Sequence, residues 1–129
     1  MILSTFTGSL PERMKKLEEI LRGETAIRMV GSSFGGLMGT IFAMENEPRV
    51  KRLTLLAPAI NLIEFTPFKK KTVTIPVSIY HGSADDVIPV EEVEPIARKC
   101  FTDLSFHVVD DDHFLHRTFK SINWDELLD

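Results

Sequence analysis

One cysteine, Cys100, is too few for an internal disulfide, which fits a reducing compartment. It closes a helical pattern and reads as a small core or near-surface residue. Basic residues are not in excess: 15 Lys and Arg against 19 Asp and Glu leave a net charge of −4, which argues against nucleic acid as a partner. The one dense basic run, Lys69-Lys70-Lys71, reads as a solvated loop. No apolar stretch approaches membrane-spanning length. The first residues lack the charged start and long apolar centre of a signal peptide. A cytoplasmic protein with no membrane partner is therefore expected. There is no internal repeat and no low-complexity linker, so one domain over residues 1–129 is expected. What is present is 43% hydrophobic and 26% charged residues, a balance that packs a core and disfavours disorder.

The chain is organised around Gly31-Ser32-Ser33-Phe34-Gly35-Gly36. An apolar run, Thr25 to Val30, precedes it, and Phe34 to Glu45 follows with helical spacing and apolar residues nearly all round, which implies burial. Strand, glycine-flanked serine and helix is the context of a G-x-S-x-G nucleophile elbow. The glycines let a sharp turn pass without Cβ clashes, and Ser33 would stand exposed at the mouth of the helix, whose N–H groups point at any anion formed there.

Elsewhere, Met1 to Phe6 is a short mixed apolar run, and Pro11 to Arg22 has the spacing of an amphipathic helix with Ser9 as N-cap. Val50 to Ala57 reads as a strand covered on both faces, Val77 to His81 as another and Leu104 to Val109 as the last. Glu91 to Lys99 reads as a helix, and His116 to Leu128 as a closing helix. Asn61 to Thr72 has no clear period and is read as a core-covering loop. This alternation predicts an α/β protein: a three-layer αβα sandwich with a mainly parallel sheet and right-handed crossovers. Ligands on such sheets bind beyond the strands' C-terminal ends, where Ser33, Asp85 and His113 leave in turn.

A serine hydroxyl needs a base to take its proton, and a histidine oriented by a carboxylate does this best near neutral pH. The chain order Ser33, Asp85, His113 is the order expected with a G-x-S-x-G elbow. His113 is preferred as base over His81 at a strand end, His107 within a strand and His116 near the last helix. Asp110, Asp111, Asp112 and His113 are consecutive, and consecutive residues rarely converge on one ion, so no metal is expected.

Gly31-Ser32-Ser33-Phe34-Gly35-Gly36, His81-Gly82-Ser83-Ala84-Asp85-Asp86-Val87-Ile88-Pro89 and Asp112-His113-Phe114-Leu115 together resemble the α/β-hydrolase family, from about Pro11 to the C-terminus. The second piece is similar to that family's loop H-G-x-x-D-x-x-[VI]-P, which places the acid at Asp85 rather than Asp86. Ala57-Pro58-Ala59 adds a likeness to small single-domain esterases. The resemblance implies a serine hydrolase of a carboxylic ester or thioester working through an acyl-enzyme with no cofactor. Acyl transferase and peptidase share that fold and are not separated from esterase by sequence. Phe34 N–H would give one oxyanion donor, and Phe34, Leu37, Phe65 and Phe68 are the candidate acyl-pocket residues.

One departure stands out. The family's usual N-terminal strands, and the loop supplying the second oxyanion donor, are absent or reduced to Met1 to Phe6. The fold is thus expected to be a truncated one, with the elbow strand near a sheet edge and unpaired on one side. The natural chain extending upstream, a second copy pairing with that edge as a homodimer, and a reduced member with little or no activity are the open explanations. The last gives the alternative function: a binding module that has kept its triad residues and lost its oxyanion hole.

Overall fold

The structure is a computed structural model and describes Ile2, Leu3 and residues 8–128. Its elements are β1 (Ile2–Leu3), α1 (Leu10–Ile20), β2 (Ile27–Ser32), α2 (Phe34–Glu45), β3 (Val50–Leu56), β4 (Val77–Gly82), α3 (Val90–Cys100), β5 (Leu104–Val109) and α4 (Trp124–Leu128). Ser9 caps α1 by accepting the Glu12 N–H on its hydroxyl, with proline in the first turn. The segment 61–72 holds a 3-10 turn, Ile63–Phe68, whose Phe65 is buried.

The five strands form one sheet in the order β1-β2-β3-β4-β5, and every pair is parallel. Parallel pairing brings all strand C-termini to one rim. The register fixes that rim: Ser32 lies beside Leu56, Leu56 beside Tyr80, and Gly82 beside Val109. Side chains alternate across the sheet. Ile27, Met29, Leu53, Leu55, Val77 and Ile79 face the larger core, where Leu17 of α1, Leu37 and Phe42 of α2, and Val93 and Ala97 of α3 meet them. Val30 and Leu56 face a smaller core built with Leu115, Ile122 and Leu127. Helices therefore cover both faces, as the α/β alternation predicts.

Two expectations are corrected. The elbow strand is near the sheet edge, second from it, but is not unpaired on its outer side: β1 pairs with it through Ile2–Val30 and Leu3–Gly31. Of the run Met1 to Phe6, only Ile2 and Leu3 lie within the described residues. The closing helix is also far shorter than His116 to Leu128. Residues 113–118 form turns, Phe119–Ser121 a 3-10 turn, and only Trp124–Leu128 is α-helical.

Candidate active site

Ser33 occupies the turn between β2 and α2 at φ 54° and ψ −115°. A non-glycine residue adopts this geometry only when its surroundings impose it. They do so here. The Ser33 N–H donates to Leu56 O at 2.9 Å, and Ser33 O accepts from Ala59, Gly36 and Leu37 N–H at 2.9, 3.0 and 3.2 Å. A Cβ on Gly31 would run into the Gly35 carbonyl, and one on Gly36 would lie 2.8–2.9 Å from Pro58. Glycine at 31 and 36 thus lets the turn close against the β3 exit. The Ser33 hydroxyl makes no capping hydrogen bond and has no partner among the described residues. With Gly36 and Leu37 N–H returned to Ser33 O, the Phe34 and Gly35 amides have no acceptor among the described residues at the first turn of α2, where the helix dipole favours negative charge.

Asp85 and His113 come from the loops after β4 and β5 and meet directly. His113 Nδ1 lies 2.8 Å from Asp85 Oδ2, with the two side chains 10% and 0% exposed. An ionised carboxylate only accepts, so Nδ1 is the donor of this bond, and a neutral ring in that tautomer has its lone pair on Nε2. Asp85 is itself held: Oδ1 accepts from Val87 and Ile88 N–H at 2.9 and 2.7 Å. Asp86 is exposed. Ser33 lies on the same rim, but no hydrogen bond joins its hydroxyl to His113. Unliganded sites often hold that link long until substrate binds.

Sequence reasoning passed over two residues. His81, set aside as the base, is fully buried with Nε2 2.7 Å from Ile88 O and 3.4 Å from Asp85 Oδ2, so it backs the acid. Its place in H-G-x-x-D was the available signal. Asp111 was weighed only as a metal ligand. It is buried and organises the His113 loop by hydrogen bonds to Arg117 and Thr118, a role that nothing in the local pattern signals. Among the described residues, no three His, Cys, Asp or Glu side chains are grouped to hold a metal ion.

The four acyl-pocket candidates lie on the larger-core face of the sheet. Leu37 and Phe65 are 0% exposed in the larger core, Phe68 stacks on Phe65 at 6.0 Å, and the Phe34 ring lies under the Arg13 guanidinium at 4.4 Å. Helix α2 is apolar all round, so its sequence could not say which side faces the site. An apolar groove of about 480 Å³ opens on the other face of the sheet, lined by Val30, Leu56, Leu115, Phe119 and Trp124, with His113 and Ser32 as its polar members.

A parallel sheet with a strained serine between strand and helix, and a carboxylate–imidazole pair on the same rim, defines the α/β-hydrolase class. The model of the alpha/beta hydrolase fold family matches residues 5–74, more than half of the sequence, and the chain belongs to that family. Among solved structures it is similar to an α/β serine hydrolase homologue from Coxiella burnetii: 22% identity over 97% of this chain and 61% of that one, TM-score 0.76. A protein described as a predicted CIB-like hydrolase from Thermoplasma acidophilum gives 19% identity over 92% and 58%, TM-score 0.75. Mouse alpha/beta hydrolase domain-containing protein 10 gives 17% identity over 94% and 70%, TM-score 0.77. The chain thus spans about three-fifths of the Coxiella and Thermoplasma proteins' length. No curated protein matches it. No helix among the described residues is long and apolar enough to cross a membrane.

Proposed function

We propose that this protein is a serine hydrolase that cleaves a carboxylic ester or thioester. The observation that carries this reading is the 2.8 Å His113–Asp85 hydrogen bond on the rim where Ser33 stands at φ 54° with its hydroxyl uncommitted. Ser33 Oγ attacks the acyl carbon while His113 Nε2 accepts its proton. Asp85 holds the imidazole by Nδ1 and stabilises the imidazolium. The tetrahedral oxyanion forms against Phe34 N–H and the start of α2. A second such donor would be worth about 10²–10³ in rate. Collapse expels the alcohol or thiol, protonated by His113, and water then clears the acyl-enzyme by the same relay. No cofactor enters. The groove beside His113 gives an apolar acyl or alkoxy group a place to lie, as expected of a small-molecule site.

Labelling with a fluorophosphonate probe tests the assignment. The parent is expected to label and to hydrolyse p-nitrophenyl butyrate, and Ser33→Ala to do neither. Equal labelling of the two would remove Ser33 from the mechanism. The missing Ser33–His113 hydrogen bond favours a second reading, a non-catalytic binding module with triad residues retained. A parent protein that neither labels nor turns over would select it.

A further inference from the structure

The segment that delivers His113 is not held by regular structure. Between Val109, where β5 ends, and the 3-10 turn at Phe119 it is a chain of turns, with buried Leu115 at φ 53°. Something local must fix it, and the candidate is a single buried carboxylate. Asp111 Oδ2 accepts from Arg117 N–H at 2.9 Å, Thr118 N–H at 2.8 Å and the Thr118 hydroxyl at 2.9 Å, while Oδ1 accepts from Asp112 N–H at 2.8 Å. The same residue's carbonyl accepts from Ala84 N–H at 3.1 Å, one residue before Asp85. Gly82 packs so closely there that a Cβ on it would lie 2.6 Å from the Asp112 carbonyl oxygen.

We propose that Asp111 is a positioning residue: its carboxylate ties residues 112–118 into a closed loop and its carbonyl docks that loop on the Asp85 turn, so that the imidazole of His113 meets Asp85. The inference rests on reading His113 as the base. Asp111 touches neither substrate nor the reacting atoms. It acts by holding both ends of a seven-residue span while His113 and Leu115 bridge the middle. Burial pushes its carboxyl up, but the amides of Thr118, Asp112 and Arg117 and the Thr118 hydroxyl more than offset that and bring it down to about 2. The group is therefore an anion, able to accept from all four donors, at any pH where the imidazole can serve as a base.

Asp111→Asn keeps the size and removes half of the acceptors. Long-range proton–nitrogen NMR reads which ring nitrogen of His113 is protonated. The parent is expected to be the Nδ1–H form. In Asp111→Asn the Nε2–H form should appear, with kcat on p-nitrophenyl butyrate down by about 10²-fold, the scale of a misplacement near 1 Å, and KM within about twofold. A variant that keeps the Nδ1–H form overturns the proposal whatever its rate. If Asp111→Asn does not fold, Thr118→Val and Thr118→Ser decide: loss of the Nδ1–H form in valine with recovery in serine supports the latch, and identical spectra sink it. If the parent hydrolyses no ester, the tautomer still decides the role of Asp111, and only the hydrolase reading falls.

Discussion

A left-handed backbone costs a non-glycine residue about 1–3 kcal/mol, so where such residues collect is informative. Among the described residues they are Ala26, Ser33, Ala57 and Leu115, and the last three sit at or beside the strand-end rim that carries the site. Gly31 and Gly36 accommodate the serine by removing Cβ atoms that would strike Gly35 and Pro58. Asp111 is the other costly residue, and its energetics give a pH prediction with a definite sign. Its carboxyl lies at about 2 in the fold against an ordinary 3.8, so the folded state favours the anion. Its contribution to stability is complete above about pH 4 and is lost as pH falls through about 2. Urea midpoints of the parent and Asp111→Asn should differ most at neutral pH and converge between about pH 4 and pH 2. A gap independent of pH would show that the carboxylate's charge is not what the loop uses.

At the scale of elements, strands and long helices were readable because their patterns are dictated by burial. The elbow was readable because few residue types fit it. The C-terminal stretch was misread for a physical reason: His116 to Leu128 has helical spacing, but a local carboxylate takes its amides first. Asp111 Oδ2 accepts Arg117 and Thr118 N–H at 2.9 and 2.8 Å, and side chains that offer such partners compete with helix formation. The acyl-pocket candidates are legible only as apolar residues, and apolarity alone does not say which face of a buried element meets ligand. The groove on the other face of the sheet makes its own prediction. A methylene buried there is worth about 0.8 kcal/mol, or roughly fourfold in kcat/KM. Along p-nitrophenyl acetate, butyrate and hexanoate the parent should gain by about that factor per methylene, and Phe119→Ser should flatten the series. Trp124 is the only tryptophan and lines the groove, so its emission should respond to octanoate even in Ser33→Ala. A parent indifferent to chain length, with silent emission, would place the acyl group elsewhere.

The whole molecule is built on two cores of unequal size, and the site straddles them. Ser33 and Asp85 leave β2 and β4, whose Met29 and Ile79 lie in the larger core with α1, α2 and α3. The loop bearing His113 is anchored on the smaller one through Leu115, Ile122 and Leu127. Free energy of opening follows buried apolar contact, so the His113 segment should open locally while the sheet stays folded. Hydrogen exchange should therefore find the amides of Arg117 and Thr118 less protected than those of β2, β3 and β4. Truncation separates the cores. Phe42→Ala, at a fully buried position of the larger core, should cost about 3–5 kcal/mol and lower protection everywhere. Ile122→Ala should leave β2 to β4 protected, speed exchange at Arg117 and Thr118, and slow fluorophosphonate labelling of Ser33. Equal loss of protection across the sheet in Ile122→Ala would mean that the two cores melt as one, and that the base is held as firmly as the nucleophile.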